Sequence, residues 1–251
     1  LVEDPATICD FDREKGLVTI VFQIVGASTM RMAELKAGDY FQDFVGPLGQ
    51  PFEFVKEDLK EVKKEENTVR SSGVGSAPVY PQVKWMKEKA IDVDVIEGSK
   101  TKDLLILEDE LRAVAGNLYI TTDDGSYERK GIGKEVIKDL VENQGKKYDV
   151  CVAIGPMIMM KFVCLLTKKL EIPTIVSMNP IMVDGTGMCG ACRITIGGKT
   201  KFVCVDGPEF DGHQVDFDEM LKRRDAFKNI EREENDINWK NRKLVRQPAR
   251  T

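Results

Sequence analysis

The sequence predicts an α/β fold with β additions: part of an antiparallel β-barrel, a doubly wound parallel sheet, then a small cysteine-bearing domain. Three observations predict it. Between residues 68 and 180, β-rich runs alternate with helix-like runs. Ahead of them lie strand-like runs separated by turns. Behind them the alternation stops and three cysteines follow in close order.

Taken in order, residues 1–55 hold two strand-like stretches, Leu17–Val25 (LVTIVFQIV) and Asp39–Val45. These are too few to close a barrel, so a partial one is expected, completed by some other element or missing its front. Residues 56–67 read as a linker, and its charged run Lys56–Glu66 (KEDLKEVKKEE) as a solvated helix. Strands are expected at Thr68–Ser72, Asp92–Gly98, Asn117–Asp124, Tyr148–Gly155 and Pro173–Met178. Helices are expected between them, at Val79–Lys89, Asp103–Val114, Gly133–Asn143 and Met157–Leu170. Right-handed crossovers then cover both faces of a parallel sheet and place ligands beyond the carboxyl ends of its strands. Residues 181–221 form the cysteine domain. Residues 222–251 carry ten Lys/Arg against five Asp/Glu with few apolar side chains, which suits a docking arm for a partner or a solvated tail.

Composition narrows the function. A chain of 251 residues, 42% hydrophobic, can fill two modest cores. A net charge of −5 argues against a nucleic-acid surface, which needs a basic stripe. The most apolar stretch, Val150–Leu166, is broken by Gly155, Pro156 and Lys161, so no membrane span is expected. Six cysteines, three of them clustered, suggest metal in a reducing, cytoplasmic compartment rather than a disulfide framework.

The cysteine spacing is Asp184-x4-Cys189-x2-Cys192-x11-Cys204. Plant-type [2Fe–2S] sites use C-x4-C-x2-C with a distant fourth cysteine, and here aspartate stands in the first slot. The spacer GTGM and the following Gly190 suit a loop that must wrap an inorganic core. Zinc held by Asp and three Cys is the rival, and three unligated thiols the bland alternative. Cys151 and Cys164 read as small core residues.

SSGVGSAPVYP (Ser71–Pro81) follows the first parallel strand. Gly73 and Gly75 there permit a tight turn into a helix whose amides can hold a pyrophosphate. Gly155 and Pro156 keep the fourth strand's end open, while Met159 and Met160 read as core. Near the front, Gly26, Ser28 and Thr29 would open a short helix with free amides and hydroxyls: a phosphate cradle or an ordinary cap. The single histidine, His213, reads as a surface residue.

Together these segments resemble the ferredoxin-reductase-like electron-transfer subunits, among them the small subunit of bifurcating NADH-dependent ferredoxin:NADP oxidoreductases and the relatives in sulfide dehydrogenase and dihydroorotate dehydrogenase. The resemblance runs to about Leu221. It is carried by GVGSAPVYP, DLLILEDELR, TTDDGSYERKG, GPMIMMK and NPIMVDGTGMCGACRITIGGKTKFVCVDGPEFDGH. It implies FAD in the front barrel, NAD(H) in the parallel-sheet domain and a [2Fe–2S] cluster with Asp184 as fourth ligand. Pro5 and Thr7 match the family's flavin-contacting R-x-P-x-T, with Glu3 in place of its basic residue, and Asp123 and Asp124 match its nucleotide segment. The resemblance also implies a larger partner with a second flavin and further clusters, reacting with NADPH and ferredoxin. A cluster-bearing assembly subunit without flavin or nucleotide turnover is the alternative, and a dihydroorotate-dehydrogenase-type subunit the nearer one.

Overall fold

The computed structural model describes residues 6–41, 43–51, 67–72 and 75–226, together with 229, 230 and 233. Pro5, Gly73, the run Lys56–Glu66 and most of 222–251 lie outside these described residues.

The front is a hairpin of β1 (Thr7–Asp12) and β2 (Leu17–Val21), followed by a short helix α1 (Ala27–Met32). The expected strand at Asp39–Val45 does not form: its described residues carry no strand pairing, and Tyr40, Phe41, Phe44 and Val45 are exposed. The aromatic residues Tyr40, Phe41 and Phe44 mimicked a strand's composition, but a strand needs a neighbour. The described residues of this front segment contain no closed barrel, only this hairpin.

The parallel sheet forms as expected. Its strands are β3 (Asn67–Ser72), β4 (Val93–Ser99), β5 (Asn117–Thr122), a two-residue β6 (Arg129–Lys130), β7 (Cys151–Ile154) and β8 (Thr174–Ser177). The helices are α2 (Ser76–Glu88), α3 (Glu108–Val114), α4 (Gly133–Lys138, continued by a wider turn to Asn143) and α5 (Met157–Lys169). With β11 (Glu209–Asp211) of the cysteine region at one edge, the strand order is β11-β8-β7-β3-β4-β5-β6, so the chain reverses direction across the sheet between β3 and β7. That reversal leaves a crevice at the carboxyl ends of those two strands.

Every residue of β4 and β7 is buried, as expected for strands covered on both faces. Val79, Val83, Met86 and Leu111 of α2 and α3 cover one face. On the other, Met157, Met160, Val163 and Cys164 form the inward stripe of α5 beside Val136 and Ile137 of α4. Met160 is fully buried and Met159 packs against this core, as the sequence suggests.

Asp94, near the start of β4, is only 6% exposed. It accepts hydrogen bonds from Asn117 Nδ2 at 2.7 Å, Lys146 Nζ at 2.6 Å and Tyr148 Oη at 2.7 Å. One carboxylate thus ties β4, β5 and the segment entering β7.

The cysteine region adds a hairpin, β9 (Arg193–Ile196) and β10 (Lys199–Phe202), a one-turn helix α6 (Val203–Asp206), the strand β11 (Glu209–Asp211) and the helix α7 (Phe217–Asp225). β11 pairs antiparallel with β8 and so becomes the sheet's edge. Asp216 caps α7 by accepting the Glu219 N–H at 2.9 Å. This helix straddles residue 222, where the basic extension is expected to begin. Phe217, Met220, Ile194 and Val203 share one core with α5, so this region is welded to the sheet.

His213 is half-buried, a correction to its reading as a surface residue. Its Nε2 lies 3.1 Å from Thr167 Oγ1 of α5, which also receives the Thr174 hydroxyl at 2.6 Å. Among the described residues no helix is long and apolar enough to cross a membrane.

Candidate functional site

The eleven residues between Cys192 and Cys204 are a hairpin. β9 and β10 pair in register from Phe202 opposite Arg193 to Lys199 opposite Ile196, closed by Gly197-Gly198 at φ +54° and +76°. Such positive φ values are those a tight two-residue hairpin turn needs. Cys192 precedes one strand and Cys204 follows the other, so the hairpin returns them to one place. Their sulfurs lie 3.2 Å apart and both are buried. Burial, then the Cys192 thiol beside it, pushes the Cys204 thiol up to about 11.

Asp184 and Cys189 form a second pair on the preceding loop. The Asp184 carboxylate accepts the N–H of Thr186 at 2.8 Å and that of Cys189 at 2.8 Å. The Thr186 amide, with those of Cys189 and Gly187 and the nearby Cys189 thiol, holds the Asp184 carboxyl below its usual value. Gly185 and Gly187 have φ of +74° and +85°, and a Cβ on Gly187 would stand 2.6 Å from Val205 Cγ2. The loop therefore needs glycine twice over. Cys189 is exposed. Among the described residues, no three His, Cys, Asp or Glu side chains converge as a single metal-ion site. The four expected ligands stand as two pairs. The donor set, three thiols and one carboxylate in a glycine-lined loop, fits an iron–sulfur group.

Two contacts brace this loop. Arg223 of α7 donates to the Arg193 carbonyl and, at 3.0 Å, to that of Ala191. From the front, Gln50 donates its backbone N–H to the Gly207 carbonyl at 2.6 Å and its side-chain amide to that of Val205 at 3.0 Å. The segment Gly46–Pro51 thus straps the front of the chain to the turn that carries Cys204. Spacing alone did not reveal Gln50 or Arg223.

At the crevice, Gly75 and Gly155 are brought together. A Cβ built on Gly75 would lie 2.6 Å from Ile154 O and 3.2 Å from the Gly155 Cα. Gly75 has an ordinary helical φ of −61°, so it is demanded by close approach, not by conformation. Gly155, at φ +150°, is demanded by conformation, and Pro156 follows as the cap of α5. Gly75→Val is expected to cost about 1–3 kcal/mol by overpacking and to weaken NADH binding by displacing the strand end. A thermal melt with an NADH titration checks it, and an unchanged melting temperature would refute the contact.

The other expected residues lie apart. Asp123 and Asp124 are exposed on the turn after β5, where the Asp124 carboxylate accepts the Ser126 N–H at 2.9 Å. Bonding from Ser126 holds the Asp124 carboxyl below its usual value. Thr7 opens β1. Gly26 caps α1, and the Thr29 hydroxyl, beside Ser28, accepts the N–H groups of Val25 and Gly26, both at 3.1 Å. Thr29 is therefore engaged within the cap itself.

Comparison with known proteins adds to this geometry. The family described as the iron-sulfur cluster binding domain of dihydroorotate dehydrogenase B matches residues 179–216. An uncharacterized protein of Clostridium beijerinckii is 63% identical over 227 residues, 90% of this chain and 77% of that one. The dihydroorotate dehydrogenase B (NAD(+)) electron transfer subunit homolog of Thermotoga maritima is 42% identical over 229 residues, 91% of this chain and 77% of its own. Among solved structures, that of the NADH-dependent reduced ferredoxin-NADP oxidoreductase, reported for flavin-based electron bifurcation, matches with a TM-score of 0.83 and 39% identity. It covers 96% of this chain and 82% of the matched one.

Proposed function

The chain belongs to the family of ferredoxin-reductase-like electron-transfer subunits that includes those of dihydroorotate dehydrogenase B, and on that premise we propose that it passes electrons between NAD(H) and a larger flavin and iron–sulfur partner through FAD and a [2Fe–2S] cluster. The observation that carries the cluster type is the pairing of ligands. Cys192 stands with Cys204 and Asp184 with Cys189. A two-iron core takes two protein ligands on each iron, whereas zinc needs four around one point.

When bound, FAD exchanges a hydride with NAD(H) and single electrons with a cluster. The chain's own residues place these groups. Gly75, Gly155 and the amides opening α2 would hold the nucleotide phosphates, with Asp123 and Asp124 at the neighbouring strand end. Thr7, Gly26, Ser28 and Thr29 would line the flavin side, while Pro5 and Gly73, the other expected contacts, lie outside the described residues. The strap through Gln50 keeps that side against the Cys204 turn. The resemblance in fold and sequence to the ferredoxin-NADP enzyme supports a bifurcating transhydrogenase, with a partner that meets NADPH and ferredoxin.

Cofactor analysis of the chain purified with its partner tests this. About two irons, two acid-labile sulfides and one flavin are expected for each copy of this chain, above the partner's own content. Iron–sulfur absorption without this flavin would favour the assembly-subunit reading. Zinc in place of iron would overturn both.

A further inference from the structure

Arg223 stands in the last turn of α7, outside the family-matched segment 179–216 that holds the four expected ligands. Its helix is fixed at the other end. Asp216 caps it, and Phe217 and Met220 are buried in the core that also contains Cys192 and Cys204. A rigid element therefore delivers this half-buried guanidinium to the cysteine loop.

The two terminal nitrogens of Arg223 straddle Cys192. One donates to the Ala191 carbonyl at 3.0 Å and the other to the Arg193 carbonyl. The Cys192 carbonyl between them instead accepts the Val203 N–H across the hairpin, at 3.3 Å. The Ala191 N–H donates to Cys189 Sγ at 3.4 Å, and the Cys204 N–H to Cys192 Sγ at 3.5 Å. Arg223 thus grips both neighbours of one expected ligand, and one of them bonds the sulfur of another. Arg193 also reaches this loop, at the Gly190 carbonyl, but through an exposed side chain. Arg224 is exposed and pairs with Asp225 at 3.0 Å.

An iron–sulfur potential responds to nearby charge and to hydrogen bonds on the sulfurs. One electron delivered to such a cluster adds one negative charge and makes or breaks no bond. A fixed cation and well-placed N–H donors both favour the state that carries this charge. Partial burial limits the screening that a fully exposed arginine would suffer.

We propose that Arg223 is a positioning residue for the cluster: it holds the Ala191–Arg193 turn in place for its sulfur bonds, and its charge raises the reduction potential. The inference rests on the iron–sulfur reading above. It also gives one cation of the basic stretch 222–251 a task within this chain.

The test is a redox titration of the full chain with its partner, followed by electron paramagnetic resonance of the two-iron signal. Arg223→Gln should keep the cluster and make it harder to reduce, by about tenfold in the equilibrium, or about 59 mV for one electron. Arg223→Lys retains the charge and should titrate near the wild type. Arg224→Gln removes the same charge from a side chain without these contacts, and should also leave the potential in place. An Arg223→Gln protein at the wild-type potential overturns the proposal. So does an Arg223→Lys protein that falls as far, or an Arg224→Gln protein that shifts equally. If Arg223→Gln purifies without iron, Arg223→Lys decides: iron kept there supports the charged clamp, and iron lost from both overturns it. A wild-type chain without an iron–sulfur cluster sinks the cluster reading itself, and this inference with it.

Discussion

Asp184→Ala is expected to yield a folded chain that purifies with little iron. The loss should reach at least the roughly 10–100-fold that removing an outer supporting contact costs, because on the proposed reading this carboxylate would supply a donor, and it also shapes the loop. It binds the Thr186 and Cys189 amides, both at 2.8 Å, across two glycines that carry no side chain to hold the turn. Asp184→Asn keeps hydrogen bonding without the charge and separates the two roles. Asp184→Cys should keep the cluster and lower its reduction potential. Exchanging two thiolates for imidazoles raises such potentials by several hundred millivolts, so one carboxylate–thiolate exchange should shift it by on the order of 100 mV. Iron and sulfide analysis with a redox titration followed by electron paramagnetic resonance decides it. An Asp184→Cys protein at the wild-type potential would mean that Asp184 is not on the iron.

The second large effect lies far from the cluster. Asp94→Ala should destabilise the protein by about 3–5 kcal/mol, the range for removing one partner of a buried ion pair. Three donors converge on this carboxylate, and Lys146, Asn117 and Tyr148 would lose their acceptor together. In a chain of this length the melting temperature should fall by about 6–20 °C. The cluster spectrum should not change at temperatures well below the melt. A fall of less than about 2 °C would show that water replaces the carboxylate at little cost. Lys146→Met, which removes the charge and keeps the stem, should cost less, because Asn117 and Tyr148 would still satisfy Asp94.

The parallel sheet was legible because its strands are covered on both faces and so read as short apolar runs between helical periods. The ends were harder. Asp39–Val45 has the aromatic content of a strand, yet pairing is a property of neighbours that composition does not carry. β11 is three residues long, two of them acidic, and exists because β8 offers an unpaired edge. The β9–β10 hairpin could have been found, since Gly-Gly between alternating residues is a strong turn signal. The cysteine spacing identified the four candidate ligands, while their separation into two pairs appeared only with the fold. Asp94 and Glu97 went unremarked in the sequence, although acidic residues inside DVDVIEG, an expected strand of a sheet covered on both faces, were the available signal. His213 was misjudged because its partner Thr167 is 46 positions away.

The hairpin between Cys192 and Cys204 also bears on how this region tolerates length variation. The distance between the two sulfurs is set where the strands enter and leave, not at the far end. Additional residues at the tip would lengthen the ribbon and leave the thiols in place. Gly197 is the less permissive of the two turn positions, since a Cβ there would stand 2.6 Å from Gln214 Oε1. A Cβ on Gly198 would meet nothing within 4 Å. Both glycines have positive φ, so a tag would be inserted between them rather than attached as a side chain at either, and relatives with longer sequence gaps between these cysteines can hold the same pair.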